Sequence, residues 1–345
     1  MQEIEVIAPN LKHSLSGVTT TVIRLLPIQK KMIGIVATGP GLPEDLPHIR
    51  LFKVPFLSNR TTRVWHARRN TEMLMGLFLR TVLRRNLKLL FTSAAQRDHS
   101  GFTKWLISKM DALIATTPQA ASFLKHPSTV IMHGVNTELF HPADDKPALR
   151  QKLGLPDEVL IGCFGRIRPQ KGVDLLVDAA IDVLPSFPEA SIVFTGRATK
   201  EFEAFQQEQV LKLKDAGLAD RVRFLGERPW EEIVETYRAL DIFVAPARHE
   251  GFGLTPLEAM ASGVPAIACH GVGAFSAQIE DGVTGCLVEK DNAPELALAL
   301  RSMLDDPVKL TAAGQAARAR VEQKFRIEGE AEAIVRVYRS LLSAD

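Results

Sequence analysis

Apolar residues in this chain come in short runs rich in Val, Ile and Phe, alternating with stretches of ten or more residues in helical spacing. That alternation is the sequence form of a parallel sheet flanked by helices, the α/β class. In the front half it predicts strands near Ile4 to Ala8, Met32 to Thr38, Thr62 to His66, Lys88 to Ser93, Ala112 to Thr116 and Thr129 to Met132. The series then restarts, with strands near Val159 to Phe164, Ser191 to Thr195, Val222 to Leu225, Ile242 to Ala245, Pro265 to Cys269 and Cys286 to Val288. Between the two series, FHPADDKPALRQKLGLPDE gathers Pro142, Pro147, Pro156 and a cluster of charges, which marks a linker and a boundary near residue 147. From Pro294 the pattern is helical, with a last segment from Glu328 to Leu342. The reading is two doubly wound, Rossmann-like domains, 1–147 and 148–327, in a chain whose 345 residues exceed what one core usually holds. In open parallel sheets ligands bind just beyond the carboxyl ends of the strands, and two such domains in series would face each other across a cleft.

Composition narrows the class. Hydrophobic residues make 46% and charged residues 24%, ordinary for a soluble globular protein. The opening MQEIEVIAPN reads as a strand carrying Glu3 and Glu5, unlike a secretory leader, and the most apolar window, Met73 to Leu79, is far shorter than the roughly 20 residues of a spanning helix. These features predict a cytoplasmic protein that does not cross a membrane. Cys163, Cys269 and Cys286 are odd in number and lack metal-ligand spacing, so they read as buried thiols in a reducing compartment.

The net charge of +2 conceals an asymmetry: residues 1–150 hold 20 Lys and Arg against 10 Asp and Glu, and the remainder holds 22 against 30. A basic front half suggests that it meets nucleic acid, a membrane surface or an acidic substrate. From Arg60 to Lys88 there are eight basic residues and one acidic one, interrupted by MLMGLFL, with Arg80 and Arg84 four apart on an expected helix. This combination suits an anionic membrane surface, and equally a core helix with a solvated polar end. Nucleic acid is disfavoured, because the interleaved aromatics that would stack on bases reduce to Trp65 and Phe78.

Two segments carry candidate chemistry. After the first strand of the second series, FGRIRPQKGVDLL places Arg166, Arg168 and Lys171 in a turn that opens a helix at about Gly172. Cations at the positive end of a helix are unfavourable unless an anion sits among them, which a diphosphate would satisfy; pairing of Lys171 with Asp174 is the alternative. The second segment, HEGFGLTPLEAMASGVP, follows the apolar run DIFVAP. Glu250 and Glu258 bracket a loop whose Gly251 and Gly253 let backbone approach a ligand closely, before a short helix from Pro256 to Gly263. Capping of that helix by Thr255 and Glu258 would explain Glu258 alone, leaving Glu250, His249 and the glycines at the strand's end.

GRIRPQKG and EGFGLTPLE, with seven residues between Glu250 and Glu258, resemble the retaining glycosyltransferases of the GT-B fold, family four. GVNTELFHP, YRALDIFVAP, LEAMASGVP and EDGVTGCLV match as well. The front half, through IEVIAPN, LSGVTT, GPGLPEDLP, VWHARRN and FTSAAQR, resembles the lipopolysaccharide core mannosyltransferases of alpha-proteobacteria. The resemblance implies a nucleotide-sugar domain at 148–327, an acceptor domain at 1–147, and a final helix, 328–345, packed back onto the latter. It implies that Arg166 and Lys171 bind the donor diphosphate, that Glu250 orients the sugar, that Glu258 holds the ribose, and that Gly165, Phe252, Gly253, Leu254 and Thr255 line the donor pocket. Arg228, in LGERPW, would lie with the base. His66 matches a histidine beside the transferred sugar, against which stands the commoner structural role of a lone histidine. Where family members carry a Gly-Gly loop this chain has Ser16-Gly17, which puts the donor role of Gly17 in question.

Arg68 and Arg69 follow His66, and with Arg97 they are the candidates to grip an acceptor carboxylate, such as Kdo on lipid A. GDP-mannose as donor rests on the resemblance. The chain has no Asp-x-Asp triplet of the kind that holds a divalent cation under a nucleotide sugar, so metal-independent transfer is expected. Among rivals, a nicotinamide dehydrogenase would need a G-x-G-x-x-G after a strand, which is absent. A sugar-nucleotide epimerase of the same architecture and a non-catalytic nucleotide-sugar-binding membrane scaffold remain as alternatives.

Overall fold

In a computed structural model, residues 3–13 and 17–344 are described. They form two six-stranded, all-parallel sheets. The first contains β1 (Val6–Pro9), β2 (Ile35–Thr38), β3 (Arg63–Ala67), β4 (Leu87–Ser93), β5 (Ala112–Ala115) and β6 (Thr129–Val130), in the order β2-β1-β3-β4-β5-β6. The second contains β7 (Val159–Phe164), β8 (Ala190–Thr195), β9 (Val222–Phe224), β10 (Ile242–Ala245), β11 (Ala266–Cys269) and β12 (Gly285–Val288), in the order β12-β11-β10-β7-β8-β9. Each expected strand is present at its expected place. They were legible because helices cover both faces of a parallel sheet, which leaves its strands nearly unbroken apolar runs.

Around the first sheet run α1 (Gly17–Gln29), α2 (Asn70–Thr81), α3 (Gly101–Ile107) and α4 (Pro118–Ser122). Around the second run α5 (Lys146–Leu153), α6 (Val173–Val183), α7 (Glu203–Asp215), α8 (Trp230–Ala239), α9 (Thr255–Ala261), α10 (Phe275–Gln278), α11 (Ala293–Leu304) and α12 (Pro307–Lys324), and the chain ends in α13 (Ile327–Ser343). One core layer of the first unit joins α1 and α13 to the sheet through Val22, Leu25, Val64, Ile334 and Tyr338. The other layer lies under α2 and α3, around Trp65, Met73, Leu77 and Leu106. Trp65 donates its indole N–H to the Glu72 carbonyl at 2.8 Å, so the ring is buried without an orphaned donor.

Contacts divide the chain after His133, and the stretch from Ile327 returns to the first unit, where α13 packs on α1 and β3. The boundary expected near 147 is therefore corrected to 133/134. The proline-rich segment is anchored to the second unit and is not a free linker. Asp145 caps α5 by accepting from Ala148 N, and Arg150 is buried, donating to the Ala239 carbonyl and pairing with Asp241. Phe140 stacks edge-on against Tyr237 and Trp230 of α8. Proline and charge at the surface of a domain look, in one dimension, like a linker.

No helix among the described residues is long and apolar enough to cross a membrane. Cys163 and Cys269 are buried and Cys286 is half-buried, and burial pushes the Cys163 thiol up to about 12 and the Cys269 thiol up to about 11.

Candidate functional site

In the second sheet the strand order reverses between β7 and β10, which are hydrogen-bonded neighbours. Crossovers leave this junction in opposite directions, so the segments after β7 and β10 diverge around an opening. They are the two candidate segments, GRIRPQKG and ARHEGFG.

After β7 the chain passes Gly165 and Arg166, makes a 3-10 turn over Pro169–Lys171, and enters α6 through Gly172. Gly172 adopts φ 70°, and a Cβ there would lie 1.9 Å from the Pro246 carbonyl oxygen. The absent side chain is what lets the cationic turn lie against the end of β10. Arg248 fastens the two segments together. Its backbone N–H donates to Gln170 O at 2.9 Å, its guanidinium reaches both Asp174 oxygens at 2.7 and 2.8 Å, and it also pairs with Asp291. Asp174 is therefore taken by Arg248, and it also complements the positive end of α6.

Lys171 pairs instead with Glu250, across the junction. Only about 10 Å³ of space remains among Gly165, Arg166, Lys171, Glu250 and Thr255, room for one water at most. Arg166 is exposed beside them and makes no ion pair among the described residues, while the Arg168 Nε is buried without a partner. A flexible cation faces a flexible carboxylate here, with a free guanidinium at the rim.

Beyond Glu250 the loop is braced from behind. Phe252 O accepts from Ala274 N and Gly253 O accepts from the buried Gln278 amide, both at 2.8 Å. Gly253, at φ 82°, leaves its missing Cβ 2.3 Å from the Phe275 ring, so the loop lies flat on that aromatic. The following helix begins one residue earlier than the sequence suggests: Leu254 is its cap, Leu254 O accepts from Glu258 N at 3.0 Å, and Thr255 lies inside it. The Glu258 carboxylate accepts from the Tyr237 hydroxyl at 2.8 Å. Burial, reinforced by Glu258, pushes this phenol well above its ordinary range, so it remains a donor.

Arg166, Lys171, Glu250, Gly165 and Thr255 thus come together, while Phe252, Gly253, Leu254 and Glu258 lie on the adjoining loop and helix start, outside that lining. Arg228 does not join them. It follows β9, is exposed, and lies 3.4 Å from Glu232, one helical turn away in α8. The sequence reading passed over Tyr237, Arg248 and Gln278, whose partners are 21, 74 and 25 residues away. An arginine three residues past the end of an apolar strand was the one available signal.

In the first unit, Arg68 and Arg97 line one pocket of about 740 Å³, together with Asn70, Ser93, His99 and Ser100. His66 lies beneath it. The ring is 1% exposed, with Nδ1 2.6 Å from the Tyr338 hydroxyl and Nε2 2.7 Å from Thr92 Oγ1. Both nitrogens are occupied, and burial, then the charge of Arg68, holds the imidazole well below its ordinary value and neutral. This placement corrects the expectation of a histidine open to a sugar: α13 covers the ring and supplies its partner. What His66 does touch is Arg68, whose guanidinium is 3.2 Å from its carbonyl oxygen and 3.3 Å from Nδ1.

Arg69 is also corrected. Its guanidinium holds Asn10, Thr19 and the fully buried Glu72 at 2.6 to 2.9 Å, inside the unit and away from the pocket. Arg84 is not on α2, which ends at Thr81. It has φ 50°, and Arg80 pairs with Asp111, so the expected basic stripe does not form. Gly17 opens α1, and a Cβ there would meet nothing within 4 Å, so no close approach requires glycine; Ser16 lies outside the described residues. Among the described residues no group of three His, Cys, Asp or Glu is placed to hold a metal ion.

Two parallel sheets, with a cationic turn opposed to an acidic loop where one strand order reverses, define a glycosyltransferase of the GT-B architecture, which acts on a nucleotide-sugar donor and a saccharide acceptor. The chain belongs to the glycosyl transferases group 1 family, whose model matches residues 145–320. It is 48% identical to the lipopolysaccharide core biosynthesis mannosyltransferase LpsB of Rhizobium meliloti, over 99% of both chains. It is also 48% identical to the lipopolysaccharide core biosynthesis mannosyltransferase LpcC of Rhizobium leguminosarum, over 99% of this chain and 98% of that one. The Anabaena protein Alr3699/HepE, solved in complex with UDP, shares the fold with a TM-score of 0.84 at 20% identity, over 98% of this chain and all of that one.

Proposed function

We propose that this enzyme transfers mannose from GDP-mannose to the Kdo-bearing inner core of lipopolysaccharide, with retention and without a metal ion, in the cytoplasm at the inner membrane. The observation that carries the proposal is the meeting of Arg166, Lys171 and Glu250 at the β7/β10 junction. As the bond from the anomeric carbon to the phosphate oxygen breaks, negative charge builds on the departing diphosphate. Fixed cations beside it stabilise that state more than the ground state.

Arg166 and Lys171 take this role, Glu250 accepts from the hexose hydroxyls, and Glu258 accepts from the ribose. Gly165, Phe252, Gly253, Leu254 and Thr255 shape the wall, and the segment containing Arg228 lies toward the base. Arg68 and Arg97 grip the acceptor carboxylate, with His66 positioning Arg68 and Arg69 stiffening the loop behind it. The mannosyl and core assignments are supported by the names of two relatives at 48% identity.

The test is transfer from a panel of radiolabelled nucleotide sugars to Kdo-lipid A, with a chelator present throughout. Mannosylated product from GDP-mannose alone is expected. Another preferred donor, or loss of product in chelator, would replace the corresponding part of the proposal. Epimerised donor formed without acceptor, or donor binding with no transfer, would favour the two rival readings.

Tyr237→Phe should weaken the enzyme's preference for GDP-mannose over its 2′-deoxyribose analogue by roughly five-fold, about 1 kcal/mol, because the Glu258 carboxylate loses the hydroxyl that aims it. Paired kcat/KM values for the two donors measure this.

A further inference from the structure

The first unit carries an apolar surface that its core does not explain. Between the sheet and solvent lie a 3-10 turn over Leu51–Phe56, then α2, then α3. Their inward residues form the Trp65 core, yet their outward positions are apolar too. Leu74 and Phe78 stand one helical turn apart on the outer side of α2, and Phe102 stacks on Trp105 on the outer side of α3. Phe52 and Phe56 project from the turn, Phe56 at 84% exposure.

These pieces are adjacent. Asn70 of α2 bonds Thr103 of α3 at 2.8 Å, Arg80 at the other end of α2 bonds the Lys109 carbonyl at 2.8 Å, and Arg85 just beyond α2 bonds the Leu57 carbonyl that ends the turn. Large aromatics collected on one outward layer indicate a covered or immersed face.

Charge indicates what covers it. Residues 50–110 contain 13 Lys and Arg against two acidic residues, Glu72 and Asp98. Glu72 is buried against Arg69, and Asp98 lies 3.7 Å from Lys104. Lys53, Arg60, Arg84 and Lys109 are exposed and make no ion pair among the described residues. Aromatics that can enter the acyl boundary, flanked by unpaired cations at headgroup level, complement an anionic bilayer. Helix α3 carries Phe102 and Trp105 on this face while its Thr103, with the adjacent Ser100, lines the Arg68/Arg97 pocket.

We propose that the outer face of the 3-10 turn, α2 and α3 docks on an anionic phospholipid surface, which would place the Arg68/Arg97 pocket at the headgroups where a lipid-anchored saccharide is presented. This inference rests on the acceptor reading above and replaces the Arg80/Arg84 stripe with a different face.

The test is sedimentation of the full chain with vesicles of phosphatidylcholine containing phosphatidylglycerol, or of phosphatidylcholine alone, at low and high salt. A Trp230→Phe variant is also probed with brominated phosphatidylglycerol, because Trp65 is fully buried and Trp105 then supplies the quenchable signal. Salt-sensitive binding to the anionic vesicles, quenching of Trp105, and a loss of partition on the order of ten-fold in a Phe56→Ser, Phe78→Ser double variant are expected. No binding, equal binding to neutral vesicles, or an unquenched Trp105 overturns the proposal. Transfer to a deacylated, water-soluble Kdo saccharide is measured alongside. Its persistence without vesicle binding would sink the docking face and leave the transferase reading intact, and its absence would fault that reading itself.

Discussion

Lys171→Ala should lower kcat by on the order of 10²-fold to 10³-fold while leaving the thermal midpoint nearly unchanged. The side chain is partly exposed, and its ion pair with Glu250 is the partner that the substitution removes from the fold, so the folded state loses little. In the proposed mechanism the reaction, by contrast, loses a cation beside the departing diphosphate. Arg166 remains at the rim, which explains why the expected loss is that of one group. Steady-state kinetics with GDP-mannose, alongside a melting curve, measure both quantities. Turnover within a few-fold of normal would reduce Lys171 to a structural partner of Glu250.

Glu250→Gln is expected to move two properties in opposite directions. The carboxylate neutralises Lys171 and the space between the segments is nearly closed, so a diphosphate binding there must displace Glu250 from the ammonium. Glutamine keeps the shape and removes the competing charge. GDP should therefore bind more tightly by about 1 kcal/mol, a factor of roughly five, the scale of a partly exposed ion pair. Turnover should fall by roughly 10²-fold, because in the proposed role Glu250 is the charged acceptor for the hexose hydroxyls. Calorimetric titration with GDP and initial rates with GDP-mannose report the two effects. A purely structural salt bridge would instead give weaker or unchanged GDP binding together with lowered stability.

Arg248 shows why these groups can be arranged so economically. The Lys171–Glu250 pair joins two partly exposed side chains, and the backbones that carry it are fixed to each other by the Arg248–Asp174 fork and by the close approach of Gly172 to Pro246. Fixed segments carrying movable charges can exchange an internal partner for a ligand without rebuilding the loop.

How much of this was legible in the sequence depended on the range of the interaction concerned. Strand positions, the restart of the α/β series, and the presence of GRIRPQKG and EGFGLTPLE after apolar strands are local patterns. A strand buried on both faces must be continuously apolar, and ligand segments of parallel sheets must follow strand ends. Partners were not legible. Lys171 could have met Asp174 three residues on, but Arg248 arrives from 74 residues away with a planar fork that fits two oxygens at once, leaving the lysine to Glu250. His66 looked available until α13, joined to it over 272 residues, covered the ring and bonded it. Arg69 followed Arg68 in the sequence, but β3 ends there, so the two side chains diverge: Arg68 to a pocket, Arg69 to a buried carboxylate. The sequence by itself determined the elements and the chemistry held within each short segment. Tertiary structure decided which charge neutralises which, because that choice rests on distances between segments that no local pattern encodes.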